Sequence, residues 1–204
     1  MNIRKWVRLF FTTLAIGGMT TAITGMVTGW EKYAKLLTHG NIGEFFAVFA
    51  WFIGFGFIFS VISQMGFFAY LTVHRFGLGI FRSVSLWNSV QLVLISFVLF
   101  DLVYFRYEAF AKTGESIVSY VLVALFILFV GLVVAFIKKN ATNKEAFVPA
   151  LFFMTVVTVI EWFPALRIND ENWLYLMLIP LVVCNAYQLL ILHKLTGQNK
   201  ESSL

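Results

Sequence analysis

The sequence predicts an all-α integral membrane protein, a bundle of six transmembrane helices with both termini on the cytoplasmic side. Three observations carry this reading. Of the 204 residues 60% are hydrophobic and only 12% are charged, against roughly 25% charged in an ordinary soluble domain. The chain also falls into six long apolar runs, too long for strands and without strand-like alternation. Finally, its basic residues sort by side, as positive residues do around a bilayer. A soluble domain, a disordered chain and an ordinary nucleic-acid binder are excluded by the same figures. The lone Cys184 excludes an internal disulfide and a cysteine-rich metal site.

The spans follow in chain order. The first, about 8–30, starts after Arg4, Lys5 and Arg8 and holds 22 uncharged residues from 9 to 30. That is too long for the apolar core of a signal peptide, and no A-x-A-like site follows, so an uncleaved helix is expected. The second, about 44–73, contains 29 uncharged residues from 45 to 73. A helix of that length would cover roughly 43 Å, so it must tilt, project, or break near Gly54-Phe55-Gly56. The third (83–104), fourth (116–137) and sixth (172–192) are uncharged over most of their length, and the fifth (146–165) is interrupted by Glu161. The whole chain, 1–204, reads as one membrane domain with no extramembrane module.

Orientation comes from the charges. Assigning alternate connections to alternate sides puts 10 Lys and Arg with 2 acids on the side of the termini, and 5 Lys and Arg with 8 acids on the other. The richer side should be cytoplasmic. Trp6, Trp30, Trp87, Trp162 and Trp173 lie near predicted span ends, as interfacial tryptophans do.

Four constellations stand out. Gly17, Thr21, Gly25 and Gly29 recur every four residues and so share one face of the first helix. Small residues allow close helix approach, which serves packing within the bundle or a partner face. Gln64, Asn88, Gln91, Asn185 and Gln188 fall at similar depths in three spans. Amides at that depth need hydrogen-bond partners, so they are expected to face a shared interior, as structural bonds or as a polar pocket. Glu161 is the deepest acid, and an ionisable group within a span is a functional candidate, with Arg106 and Arg167 as available cations. The fourth is the second cytoplasmic connection, residues 73–82, which mixes His74, Arg75 and Arg82 with Phe76 and Phe81. It is expected to lie at the membrane surface as a contact loop.

No catalytic constellation is found. The three histidines have no metal-ligand spacing, no glycine-rich phosphate loop occurs, and no Ser–His–Asp set shares a layer. Neither cofactor nor metal is expected, and the chain reads as a non-enzyme.

The stretch Ser63-Gln64-Met65-Gly66-Phe67-Phe68-Ala69-Tyr70-Leu71-Thr72-Val73-His74-Arg75-Phe76-Gly77-Leu78-Gly79, with Phe81-Arg82-Ser83 and Leu86-Trp87-Asn88, resembles the KinB-signalling pathway activation proteins of sporulating Bacillus-type bacteria. The opening Trp6-Val7-Arg8-Leu9-Phe10-Phe11, the length and the six-span pattern fit as well. The resemblance implies a multi-pass protein of the cell membrane that activates a KinB-type sensor histidine kinase feeding the sporulation phosphorelay. Its implied partners are that kinase and the lipid bilayer, with no nucleic acid. It supplies no catalytic residues. The competing expectation is a six-helix membrane protein that binds a small molecule or assists transport, similar in size to vitamin-transporter subunits.

Overall fold

The computed structural model describes residues 3–111 and 114–197. Lys112, Lys200, Glu201 and Ser203, which bear on the charge-based topology, lie outside the described residues. The chain is all-helical, with no strand among the described residues: α1 (Ile3–Thr28), α2 (Trp30–Thr38), α3 (Ile42–Phe81), α4 (Val84–Phe110), α5 (Val118–Ala141), α6 (Phe147–Phe152), α7 (Thr158–Ile168) and α8 (Glu171–Thr196). A 3₁₀ turn, Lys144–Ala146, leads into α6, and a π turn, Phe153–Val157, joins α6 to α7. Six helices are long and apolar enough to cross a membrane, the fifth of them being the composite Lys144–Ile168.

Two features depart from the sequence reading. Residues 73–82, expected as a loop, are helical as far as Phe81, so the contact-loop residues His74, Arg75 and Phe76 sit on the last turns of α3. Charges mark where a helix leaves the hydrocarbon, not where it ends, and Gly77 and Gly79 each weaken a helix by only about 1 kcal/mol. At 40 residues, α3 is roughly 60 Å long and runs unbroken through Gly54 and Gly56. The second departure is α2, a short amphipathic helix in what read as a plain connection.

Local chemistry ends the helices. Arg82 leaves α3 with φ 51°, a left-handed conformation, while its N–H still bonds Leu78 O at 3.0 Å. Ser83 then caps α4, its Oγ accepting from Leu86 N at 3.4 Å. The same device recurs before α8: Asn169 has φ 53°, and Asp170 Oδ1 accepts from Trp173 N at 2.9 Å. Asn, Asp and Ser are suited to such positions because their side chains replace missing helical partners.

The described residues form two compact units, 3–65 with 161–188 and 66–160 with 189–197. In the first, α1 and α3 meet backbone to backbone. A Cβ added at Gly56 would lie 2.5 Å from Gly17 O and 2.6 Å from Gly18 Cα. One added at Gly17 would lie 2.7 Å from Ser60 Cβ. Thr21, one turn on, satisfies its own hydroxyl by donating to Gly17 O at 2.8 Å.

The second unit is organised by aromatic packing. Phe67 meets Phe153 edge-on, and Tyr70 stacks on Phe152. Tyr70 also donates its hydroxyl to Pro149 O at 2.9 Å, tying α3 to the first turn of α6. Proline is tolerated there because its missing N–H would have no helical acceptor anyway. On α4, Trp87 lies against Gly77, where a Cβ would meet the indole at 2.5 Å.

Candidate functional site

In the first unit, four buried side chains from α3, α7 and α8 form a chain of hydrogen bonds. Gln188 Nε2 donates to Ser63 Oγ at 2.6 Å, Ser63 Oγ donates to Asn185 Oδ1 at 2.6 Å, and Asn185 Nδ2 donates to Glu161 Oε2 at 2.6 Å. Each link spends one donor on one acceptor, so the direction of the Ser63 proton is fixed by the two amides on either side of it. Two acceptors are left over. Glu161 Oε1 and Gln188 Oε1 are buried and have no hydrogen-bond partner. An unmet buried acceptor costs about 1–3 kcal/mol, so their persistence marks a place where stability has been given up.

Glu161 is thus held by Asn185 rather than by Arg167, the cation expected from the same unit; Arg167 is exposed. Arg106, the other expected cation, lies in the second unit, its guanidinium 5.0 Å from the centre of the Tyr120 ring. Asn185 and Gln188 sit three residues apart on α8, about one turn, which is why both can reach the same hydroxyl. Gln64 is buried nearby in sequence but bonds elsewhere, donating to Ser60 Oγ at 3.3 Å and to Phe10 O at 3.5 Å. Asn88 and Gln91 belong to the second unit, so the five amides are divided between the two units.

Ser63 was missed. It is the link between the two α8 amides, yet a serine within a span usually bonds its own helix backbone and gives no sequence signal. Its position beside Gln64 was the available hint.

In the second unit a different polar cluster surrounds His74. Trp87 Nε1 donates to His74 Nδ1 at 3.0 Å, and Gln91 Nε2 lies 3.4 Å from the same nitrogen. With Nδ1 accepting, a neutral ring carries its proton on Nε2. Within the contact set His74, Arg75, Phe76 and Arg82, His74 is half-buried and engaged by Trp87 of α4. Of that set, Arg75, Phe76 and Arg82 are exposed. Gln91 is fully buried, Asn88 is half-buried, and Gln91 Oε1 and Asn88 Oδ1 have no partner.

The glycine stripe lies inside the first unit over most of its length. Gly17, Thr21 and Gly25 are buried, and a Cβ at Gly25 would meet the Phe52 ring at 2.6 Å. Those three are consequently not available as a face for another protein. Gly29 is half-buried beside Tyr33 of α2. Cys184 is buried, its Sγ 3.8 Å from Thr13 O. Among the described residues no group of three or more His, Cys, Asp or Glu could hold a metal ion.

The family described as KinB-signalling pathway activation in sporulation matches residues 17–195. The chain belongs to that family. A KinB-signaling pathway activation protein of Bacillus subtilis (strain 168) is 52% identical over 198 residues, covering 97% of this chain and 100% of the relative. No solved structure matches the chain. The polar chain, the His74 cluster and the α1–α3 seam all fall inside the stretch that matches the KinB-signalling activation family, whereas Arg4, Lys5 and Arg8 precede it.

Proposed function

We propose that this chain is a multi-pass protein of the cell membrane that activates a KinB-type sensor histidine kinase and so raises phosphorelay output during sporulation, with no catalysis of its own. The observation that carries the reading is the 52% identity, over nearly the whole chain, to a protein named for activation of KinB signalling. The six long apolar helices support the membrane placement. So do large apolar side chains that face outward, such as Trp51 at 67% and Phe129 at 65% exposure, which water would penalise and lipid would not. The charge asymmetry read from the sequence favours both termini inside the cell.

A bundle of this kind alters a kinase only by binding one of its conformations better than another. The exposed end of α3, with Arg75, Phe76 and Ile80 beside Arg82, offers cations and apolar side chains together for such a contact. The test is genetic. In a strain that relies on KinB alone, deleting the gene should lower phosphorelay output and sporulation, and restoring it should recover both. Unchanged KinB-dependent output after deletion would refute the proposal.

A further inference from the structure

Lys138, in the last turn of α5, is 6% exposed, and its Nζ donates to Leu189 O at 2.7 Å. Among the described residues that carbonyl is its polar partner; no carboxylate lies within ion-pair distance of it. The negative end of the α5 dipole favours a cation there. Even so, an ammonium carries three donors and a full charge, and one neutral carbonyl matches neither.

The lysine lines a cleft of about 360 Å³ within the second unit. This is the size of a small-molecule site. His74 and Asn143 line it too. Both can donate, His74 half-buried and Asn143 from the exposed rim. Trp87 occupies His74 Nδ1, which leaves the Nε2 proton, and Ala146 N–H occupies Asn143 Oδ1 at 3.0 Å, which leaves the amide protons. Tyr70 spends its own proton on Pro149 O. The one acid of the lining, Glu145, is exposed and therefore solvated, unlike Lys138. The remaining wall is largely apolar, with Leu71 and Leu189 among its members.

We propose that this cleft binds an amphiphile with a net-anionic oxyanion head, a carboxylate or a phosphate ester that carries no cationic group of its own, whose head meets the Lys138 ammonium and whose apolar body lies on the leucine walls. The charge left uncompensated by the protein is then compensated by the ligand, and the unspent donors are met by oxygen acceptors. Such a head is supplied either by a membrane lipid or by a soluble organic anion. The site is independent of whether the kinase reading holds.

The test uses the full chain in nanodiscs of phosphatidylcholine. One arm adds decanoate, with acetate as the head without the body; the other replaces part of the phosphatidylcholine with phosphatidylglycerol and asks whether that lipid is retained through purification. Wild type should bind decanoate more tightly than acetate, or retain phosphatidylglycerol, and the arm that responds identifies the source. Lys138→Met should weaken that binding by about tenfold or more, as for one charge-assisted hydrogen bond, while Lys138→Arg keeps most of it. Should the methionine variant not fold, Asn143→Ala, which removes one proposed donor, must weaken binding in its place. Wild type that binds neither probe, or variants that bind as wild type does, would overturn the proposal.

Discussion

Asn185 of α8 donates its amide to Glu161 Oε2 of α7 at 2.6 Å, and the other carboxylate oxygen, Oε1, meets no hydrogen-bond donor. The amide thereby joins two helices while accepting from Ser63 of a third. Removing it leaves a hydroxyl and a carboxyl unmet together.

Asn185→Ala should therefore lower stability by about 1–2 kcal/mol, at the upper end of what interhelical hydrogen bonds supply in membranes. Glu161→Gln, which keeps an acceptor of the same shape for Asn185, should cost less than half as much. Thermal unfolding of both variants in one detergent gives the comparison. Equal stability of Asn185→Ala and wild type would show that the chain of bonds contributes nothing.

Gly56 and Gly54 make a matched pair on α3. Gly56→Ala must push α1 away, at a cost of about 1–3 kcal/mol. A Cβ at Gly54 meets nothing within 4 Å, so Gly54→Ala should gain up to about 1 kcal/mol from helix propensity. Unfolding midpoints moving in opposite directions are the expected result; a neutral Gly56→Ala would contradict the seam.

Arg82 carries backbone strain. Arg82→Gly should raise stability by about 1 kcal/mol because glycine adopts its positive φ freely. Arg82→Val should lower it by at least as much, since a β-branched side chain fits that conformation worst. If the two variants have the same midpoint, the turn is not held as described.

Topology is open to chemical labelling in a Cys184→Ala background. Cysteine at Asn140, which is exposed at the end of α5, should resist a membrane-impermeant maleimide in intact cells, while cysteine at Asn169 between α7 and α8 should react. Reaction at position 140 in intact cells would reverse the assigned sides.

The long helices were legible because hydrophobic length alone decides them. Their ends were not. The step from apolar to charged residues at Val73–His74 suggests the start of a loop, but with no proline present the helix continues to Phe81. The π turn at Phe153–Val157 was invisible, since one extra residue in a uniformly apolar run leaves the hydrophobic pattern unchanged. The four-residue glycine stripe revealed a face but not its neighbour, and only the approach of Gly56 shows where it is buried. Of the polar chain, Glu161, Asn185 and Gln188 were legible as costly groups in a span, while Ser63 was not. In the sequence Lys138 is indistinguishable from its neighbour Lys139; its burial depends on α8 lying over it.

The seam between α1 and α3 constrains how this protein can change by descent. In most packed interfaces a residue that grows is accommodated by a neighbour that shrinks, and pairs of substitutions wander together. At Gly56 the two nearest opposing atoms are backbone atoms of Gly17 and Gly18, already the smallest residues available, with the Thr21 hydroxyl next at 2.8 Å. No second substitution restores the lost space. A lineage that leaves glycine here has no local route back to the same packing, and must either move a helix or revert.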